Sequence, residues 1–323
     1  MAVTKAVIPA AGKGTRLYPA SKAIPKELFP LGTKPVIQLA VEELAAAGIE
    51  EVLVVTRGGK QAIDAHFALD SDWQQVMKER RGTSIHPEDL RLWDLEVQLF
   101  FTWQAIPLGS GDAISKARAF CGDQPFVVAL GDCYIHKLGA GPTLLQRMIE
   151  AFEANEAAAC IATYQVPWEL TAKYGVLAPA GEISDPTRPF LLEDIVEKPG
   201  PEDAPSNWAV SARYVFSPRI FEEIEAERAD VTEGKEVELT NAIRRLVRSG
   251  RPVYAVPLMP DEFRLDVGGF ASFGPAFVRM LSEHEQFGRA FREYLVKLVN
   301  YLQGKGPDPD AWGTAIDHRQ EED

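Results

Sequence analysis

Residues 7–30, VIPAAGKGTRLYPASKAIPKELFP, decide the fold prediction for this chain. A short apolar run over residues 6–10 ends in a turn that contains Gly12 and Gly14. An apolar run that breaks into a glycine-rich turn is typical of a buried strand that delivers a loop to the edge of a sheet. Glycines allow the backbone to approach a bulky anion with its N–H groups pointing inward. The stretch therefore predicts a phosphate-binding loop after the first strand.

Two common phosphate-binding patterns are excluded at this loop. The dinucleotide-binding fingerprint requires a third glycine at the position of Leu17, and the P-loop string G-x-x-x-x-G-K-[ST] does not occur in the chain. The string that does occur is G-x-G-T-R-x-x-P over residues 12–19, followed by P-K-E at residues 25–27. Hydride transfer and ordinary P-loop ATPase activity are therefore not expected.

The charge of the chain is unevenly distributed. The sequence of 323 residues carries a net charge of −13, which excludes a general nucleic-acid-binding protein because such proteins need a basic face. Residues 1–41 nevertheless contain six lysines and arginines against Glu27 alone. A basic patch in an acidic protein fits a small anionic ligand that is held at one site. The length suits one large α/β domain with additions, or two domains.

The cysteines and the apolar runs are used to predict the cellular compartment. The three cysteines, Cys121, Cys133 and Cys160, lack the even number and the paired short spacings of a disulfide framework or a zinc site. Lys5 leads directly into the first apolar run, so no signal region is predicted. No apolar run approaches the roughly 18 residues that a membrane-spanning helix needs. We therefore expect a soluble, cytoplasmic protein with no membrane partner.

Predicted strands and helices alternate along the chain. Strand, helix and strand within the first 56 residues predict a right-handed βαβ unit and a parallel sheet, whose ligands bind at the carboxyl ends of the strands. Residues 72–81 are a predicted helix and residues 82–90 a predicted loop. Further strands are predicted over residues 51–56, 97–103, 126–132, 157–166, 190–199, 207–217 and 252–258, and further helices over 36–47, 142–154, 217–227, 237–250 and 270–303.

The string at residues 12–27 resembles the signature of the sugar-1-phosphate nucleotidylyltransferases, nearest the bacterial uridylyltransferases that act on UTP and glucose 1-phosphate. Further strings match the family in order: Gln104 to Gly109, Gly131-Asp132, Tyr174-Gly175-Val176, Glu197-Lys198-Pro199 and Asp266-Val267-Gly268. The resemblance implies the nucleotide-diphospho-sugar transferase fold. In that α/β fold, a Rossmann-like, mostly parallel central sheet is flanked by helices and followed by C-terminal helices.

The resemblance also implies a domain organisation. Residues 1–269 would form the catalytic domain, in which residues 1–135 mainly bind the nucleotide and residues 136–269 mainly bind the sugar phosphate. Residues 270–303 would be a helical segment that contacts a second copy, and the insertion around Trp93 is another candidate contact, so we expect a homo-oligomer. Residues 304–323 are polar and acidic and are predicted to be disordered.

The family's reaction is attack by the phosphate oxygen of a sugar 1-phosphate on the α-phosphorus of a nucleoside triphosphate, with release of pyrophosphate. The second pKa of a phosphate monoester is near ~6, so the nucleophile is already ionised at neutral pH. No general base is needed, and none of the five histidines falls in a matched motif. Alignment and charge neutralisation are the remaining requirements.

The resemblance assigns cations and a metal to this reaction. Arg16 would neutralise the leaving pyrophosphate with its planar set of donors, and Lys26 would bind the α-phosphate, so these two residues are the predicted catalytic residues. Asp132 and Asp266 would coordinate Mg²⁺. Magnesium prefers a few carboxylates together with substrate phosphates and water, which agrees with this set.

The resemblance also assigns the substrate contacts, to a nucleoside triphosphate and a sugar 1-phosphate. The predicted nucleotide-binding residues are Ala10, Ala11, Gly12, Gly14, Thr15, Glu27, Gln104 and Gly109. Among them, Gln104 and Gly109 would recognise the base. For the sugar phosphate, Lys198 would bind the phosphate and Glu197 would accept hydroxyl groups, with Gly175 beside them.

Three departures from the family pattern concern the choice of substrate. Trp103 stands where uridylyl relatives usually carry Arg, and Lys235 reverses a charge beside the expected sugar site. Cys133 and Val267 differ next to the proposed metal ligands. UTP and glucose 1-phosphate are expected, and thymidylyl or cytidylyl transfer to another hexose 1-phosphate is the alternative. A non-catalytic nucleotide-sugar sensor is a second alternative. It predicts loss of a catalytic or metal-binding residue, and all four are present.

Overall fold

The computed structural model describes residues 2–68, 96–232 and 234–310. The predicted helix over 72–81, the predicted loop over 82–90 and the proposed contact around Trp93 lie outside these residues. The strands are β1 (Lys5–Pro9), β2 (Pro30–Leu31), β3 (Lys34–Pro35), β4 (Glu51–Thr56), β5 (Gln98–Trp103), β6 (Phe126–Ala129), β7 (Cys133–Lys137), β8 (Ala159–Gln165), β9 (Gly175–Pro179), β10 (Phe190–Glu197), β11 (Trp208–Phe216), β12 (Val253–Pro257) and β13 (Glu262–Asp266). The α-helices are α1 (Val36–Ala46), α2 (Gln61–Phe67), α3 (Ser110–Ser115), α4 (Arg118–Cys121), α5 (Leu144–Ala154), α6 (Ile220–Asp230), α7 (Leu239–Arg248), α8 (Phe270–Glu283) and α9 (Gly288–Leu302).

Nine strands form the central sheet in the order β5-β4-β1-β6-β11-β8-β12-β10-β9. The first four strands of this order are parallel, and so are β8 and β12. The other neighbours are antiparallel, so the sheet is mixed, whereas a mostly parallel sheet was the prediction. The chain runs from β8 to β11 without an α-helix, and parallel neighbours need a crossover connection that this segment lacks.

Helices cover both faces of the sheet, as predicted. Val7 of β1 belongs to the buried apolar cluster that includes side chains of α3, α4, α6 and α7, whereas Ala6 and Ile8 belong to a second cluster that includes side chains of α1, α2 and α5. All three side chains are completely buried. A strand buried on both faces accounts for the continuous apolar run in the sequence. The predicted α/β fold with helices on both faces of a central sheet is thereby confirmed.

The ends of the helices follow local signals in the sequence. Helix α1 begins directly after Pro35 and ends just before Gly48, as the prediction required. Helix α5 begins at Leu144, two residues later than predicted, because Thr143 caps it. The Thr143 hydroxyl accepts from the Gln146 N–H at 3.3 Å, and the Gln146 side chain accepts from the Thr143 N–H at 2.9 Å.

A two-stranded ribbon of β7 and β13 stands apart from the central sheet. The sequence prediction missed β7. The antiparallel register places Cys133 opposite Asp266, and the Val267 N–H donates to the Asp132 carbonyl at 2.9 Å. Helix α8 packs on this ribbon through an apolar cluster that also holds β2. Residues 270–303 form two helices, α8 and α9. Across the described ranges, no helix is long and apolar enough to cross a membrane.

Candidate active site

Four loops meet at one edge of the central sheet, where the parallel strands β1, β4, β5 and β6 have their carboxyl ends. The Ala10 N–H donates to the Val55 carbonyl at 2.8 Å, and the Gln104 N–H donates to the Thr56 carbonyl at 2.8 Å. These bonds hold the loop after β1 and the loop after β5 on either side of the end of β4. The predicted phosphate-binding loop thus lies where ligands bind in open α/β sheets.

The loop after β1, residues 10–27, is called the phosphate loop below. Gly14 has a left-handed φ of 68°, and its carbonyl accepts from the Ser21 hydroxyl at 2.7 Å. Ala10 and Ala11 are buried, whereas Gly12 and Thr15 are exposed. The backbone N–H groups of residues 11–15 have no hydrogen-bond acceptor within the described part of the chain. The first turn of the loop can therefore receive an anion on its backbone donors.

Lys26 and Asp132 form a hydrogen-bonded ion pair at the base of the phosphate loop. Both side chains are only 16% exposed. Burial would lower the pKa of Lys26, but the charges of Asp132 and Glu27 outweigh it and raise that pKa. Burial would likewise raise the pKa of Asp132, but Lys26 holds it below its usual range. Both groups are therefore charged at neutral pH.

Asp266 lies beside Asp132 because β13 pairs with β7, and the two residues are called the carboxylate pair below. One carboxylate oxygen of Asp266 accepts from the Gly268 N–H at 2.9 Å and from the Ser272 hydroxyl at 2.8 Å. The other oxygen accepts from Arg264 at 2.8 Å. The structure thus brings together two acidic residues that are far apart in the sequence. No group of three or more metal-ligating side chains occurs in the described ranges.

Arg16 completes this half of the site. Its side chain is exposed on the short 3₁₀ turn Thr15–Leu17. The guanidinium Nη2 atom lies 3.2 Å from the position that a Cβ on Gly268 would occupy, two residues beyond Asp266. Arg16 therefore reaches across from the phosphate loop to the turn that follows β13. The four predicted catalytic and metal-binding residues converge at one place.

Glu27 lies at the end of the phosphate loop with its side chain turned inward. Its side chain is 1% exposed and accepts from Lys60 at 2.7 Å. A carboxylate buried in this way supports the phosphate loop through Lys60, and its contact with a nucleotide stays a prediction. Sequence analysis missed Lys60, which follows β4 at the same sheet edge. The position of a lysine just after a buried strand was the signal that could have found it.

Gln104 also faces inward. Gln104 is 2% exposed, and its side-chain amide donates to Asp112 at 2.7 Å and to the Gly109 carbonyl at 3.1 Å. Both amide hydrogens are therefore engaged within the loop after β5. This loop, together with the first turn of α3 (residues 104–112), is called the base loop below. Gln104 shapes the base loop, and its amide N–H groups are not free to contact a base in this conformation.

Gly109 is required by a close approach of two backbones. Its φ is 111°, and a Cβ there would lie 2.6 Å from the Val237 carbonyl oxygen. The Gly111 N–H donates to that oxygen at 2.8 Å, and the Val237 N–H donates to the Leu108 carbonyl at 2.7 Å. These two bonds attach the base loop to the segment that precedes α7.

Gly109→Ala is expected to lower the free energy of unfolding by roughly 2–3 kcal/mol, because the new methyl group clashes with Val237 in a left-handed backbone. Gly122→Ala is the matched control. Gly122 also has a positive φ, 57°, but a Cβ there would meet no atom within 4 Å. We expect that variant to lose only about 1–2 kcal/mol in urea unfolding, from backbone strain without a clash. Equal losses of unfolding free energy in the two variants would show that backbone strain alone accounts for both losses, without a contribution from the clash with Val237.

The predicted sugar-phosphate residues form a second group. The antiparallel ladder of β9 and β10 pairs Gly175 with Glu197. The Lys198 ammonium lies 2.5 Å from the Glu197 carboxylate, and the Lys198 side chain is 54% exposed. Lys198 has a left-handed φ of 46°, which is uncommon for a residue with a side chain. The structure thus brings Gly175, Glu197 and Lys198 together.

Arg264 connects the two groups, and sequence analysis missed it. Its guanidinium carbon lies 5.9 Å from the Tyr164 ring centroid and 5.7 Å from that of Tyr174, the residue before Gly175. Its terminal nitrogen also binds Asp266. Burial would lower the pKa of Arg264, but nearby groups including Asp266 raise it. Alternation along β13 places residues 264 and 266 on one face, which was the available sequence signal.

Another buried ion pair, which the sequence prediction also missed, supports the ribbon. Arg213 is completely buried, and its Nη2 atom donates to Glu43 at 2.7 Å and to the Cys133 carbonyl at 2.8 Å. The Ile135 N–H donates to the same Glu43 carboxylate at 3.3 Å. These bonds anchor β7 to β11 and α1 immediately after Asp132. The position of Asp132 therefore depends on residues far from it in the sequence.

Comparison with known proteins identifies what the chain is similar to. A family model described as nucleotidyl transferase matches residues 5–283. A UTP–glucose-1-phosphate uridylyltransferase of Streptococcus pneumoniae is 40% identical over 310 residues, which cover 94% of this chain and 98% of that protein. The solved structure of UTP-bound UGPase from Acinetobacter baumannii has a TM-score of 0.80 at 30% identity and covers 92% of this chain and 99% of that one. A UDP-glucose pyrophosphorylase complexed with UDP-glucose has a TM-score of 0.75 at 29% identity, with coverage of 87% and 100%.

Proposed function

Because the chain belongs to the nucleotidyl transferase family, we propose that it transfers the uridylyl group of UTP to glucose 1-phosphate and releases pyrophosphate. One observation carries the proposal. The phosphate loop, with its unpaired backbone donors and its side chains Arg16 and Lys26, meets the carboxylate pair at a single edge of the sheet. The similarity to uridylyltransferases over nearly their whole length supports UTP and glucose 1-phosphate as the substrates.

The proposed mechanism depends on placing charge against phosphate. Backbone donors of the phosphate loop bind the triphosphate, and Arg16 neutralises the β- and γ-phosphates as pyrophosphate leaves. Lys26, already charged, contacts the α-phosphate, where negative charge redistributes during transfer. Lys198 binds the entering sugar phosphate and Glu197 accepts its hydroxyl groups. The ionised phosphate oxygen attacks the α-phosphorus without a protein base.

Magnesium fits the carboxylate pair. Asp132 and Asp266 offer only carboxylate oxygens, the hard donors that Mg²⁺ prefers, and leave its other positions to substrate phosphates and water. We propose that this pair holds Mg²⁺, which would neutralise phosphate charge when bound.

The experiment that tests the function is pyrophosphate release with glucose 1-phosphate and each of UTP, dTTP, CTP, ATP and GTP, with and without Mg²⁺. We expect UTP with Mg²⁺ to give the highest kcat/KM. A higher value with dTTP or CTP would replace uridylyl transfer by the thymidylyl or cytidylyl alternative. No release with any pair, together with binding of UDP-glucose, would favour a sensor.

Cys133→Ser is expected to leave kcat near the wild-type value, although Cys133 follows Asp132 directly. Burial raises the pKa of the Cys133 thiol to about 11, so the thiol is protonated at neutral pH and is no nucleophile. Cys160→Ser is the control, because this cysteine is equally buried in β8 away from the site. Both variants are expected to lose roughly 1 kcal/mol of stability. Total loss of turnover by a folded Cys133→Ser protein would contradict the mechanism.

We propose three further properties of the protein. It acts in the cytoplasm, where its nucleotide substrate is found. Residues 1–135 mainly bind the nucleotide, and residues 136–269 mainly bind the sugar phosphate. It forms a homo-oligomer through residues 270–303, a proposal supported by the exposed apolar side chains Val296 and Leu302 on α9.

A further inference from the structure

Lys60 joins the two ends of the phosphate loop. Its side chain is 5% exposed. The Nζ atom donates to the Ala10 carbonyl at 2.6 Å and to the Glu27 carboxylate at 2.7 Å. Ala10 is the first residue of the loop and Glu27 the last. One buried ammonium group therefore closes a loop whose ends are otherwise carried by separate elements.

Glu27 extends this connection to both members of the catalytic ion pair. It follows Lys26 in the chain. On the other side, a Cβ on Gly131 would lie 3.5 Å from the Glu27 Cγ atom, so the stem of Glu27 runs beside the residue that precedes Asp132. The Lys60–Glu27 pair thus adjoins the Lys26–Asp132 pair.

We infer that Lys60 is a positioning residue for nucleotidyl transfer: it holds both ends of the phosphate loop and thereby fixes the Lys26 ammonium against the α-phosphate. The inference rests on the proposed function, in which Lys26 contacts that phosphate. Lys60 itself touches no reacting atom. It acts through Glu27 and through the Ala10 carbonyl.

The energetics favour a positioning role over a stabilising one. Burial lowers the pKa of Lys60 and raises the pKa of Glu27, and their mutual attraction opposes both shifts. Burying two charges costs so much that a buried ion pair commonly adds little to stability compared with an apolar pair. The Lys60–Glu27 pair instead helps to fix the two ends of the phosphate loop relative to each other. Its carboxylate also lies near two ammonium groups, and so offsets the repulsion between Lys26 and Lys60.

The test compares three variants of the full-length enzyme with the wild type. Lys60→Met removes the ammonium group but keeps an unbranched side chain of similar length. The double variant Lys60→Met with Glu27→Gln also removes the carboxylate charge that would otherwise be left buried. Arg147→Met is the matched control. Arg147 pairs with the buried Glu262 at 2.5 Å at the far end of the ribbon, away from Asp266.

We expect Lys60→Met to lower kcat by about 10²-fold, the size of effect that a displacement near 1 Å has on aligned reactants. The KM for glucose 1-phosphate should stay within about twofold, because the sugar group is not disturbed. The double variant should regain the melting temperature lost by Lys60→Met but keep the low kcat. Arg147→Met should lose stability with kcat unchanged.

Two results would overturn the inference. One is a folded Lys60→Met protein with wild-type kcat. The other is recovery of wild-type kcat by the double variant, which would show that an unpaired Glu27 charge, and not lost positioning, slows the single variant. Failure of the proposed function is recognised separately, since wild-type protein would then release no pyrophosphate from UTP and glucose 1-phosphate.

Discussion

Lys26→Ala is expected to lower kcat for pyrophosphate release by roughly 10³-fold or more, by analogy with other cations that clamp a transferring phosphoryl group. The Lys26 ammonium group is held by Asp132 next to the phosphate loop, so it is oriented before any substrate binds. Its removal also leaves Asp132 buried without its cation, which lowers stability. Steady-state kcat must therefore be measured below the melting temperature of the variant.

Arg16→Ala also tests whether a phosphate-binding cation is needed for turnover, and it does so without leaving an unpaired buried charge. Arg16 is exposed and has no ion pair in the described part of the chain, so its removal leaves no buried charge behind. We expect a similar loss of kcat with an unchanged melting temperature. Lys34→Ala is the control for both, because Lys34 belongs to the same basic segment but pairs with Glu42 at 3.2 Å. Near-full turnover by Lys26→Ala would remove Lys26 from the mechanism.

Asp132→Asn and Asp266→Asn are each expected to shift the Mg²⁺ titration of kcat to about tenfold higher concentration or more, since an amide is a weaker ligand than a carboxylate. Asp132→Asn should also lower kcat at saturating Mg²⁺, because Lys26 then loses its partner. Asp266→Asn keeps a side-chain oxygen that can still accept from Ser272 or Gly268. Initial rates across a range of Mg²⁺ concentrations measure both effects.

The control for the metal is Asp261→Asn. Asp261 pairs with Lys137 at 2.6 Å beside the opposite end of the β7–β13 ribbon. We expect its Mg²⁺ titration to match that of the wild type. If Asp132→Asn and Asp266→Asn also kept the wild-type titration, the assignment of the carboxylate pair to Mg²⁺ would be wrong.

Local patterns predicted most of the elements because their signals are local. The apolar run at residues 51–56 is β4, and the helix between Pro35 and Gly48 is α1. Strands β7 and β9 were missed, and the sheet is mixed. The parallel pairing of β1 with β4 follows from the local strand-helix-strand pattern, whereas the pairing of β7 and β9 depends on partners distant in sequence. Cys133 shows this well, since its strand exists only because residues 262–266 lie beside it.

The candidate site also has features that the sequence predicted and features that only the tertiary structure revealed. Motif resemblance identified Arg16, Lys26 and the carboxylate pair, and the structure brings these residues together. The motif resemblance did not indicate that the side chains of Glu27 and Gln104 turn inward, because the direction of a side chain follows from its neighbours in space. The sequence held signals for the positions of Lys60 and Arg264, but their hydrogen-bond partners became known only from the structure.

The sequence by itself determined an apolar strand that ends in a glycine loop, a basic segment in an acidic chain, and the types of side chain that would bind phosphate and the proposed Mg²⁺. Only the tertiary structure decided which charges are buried together. The ion pairs of Lys26 with Asp132 and of Lys60 with Glu27 join residues from separate strand ends. The cost of burying a charge depends on every element packed around it, so the location of a buried ion pair is a property of the folded chain.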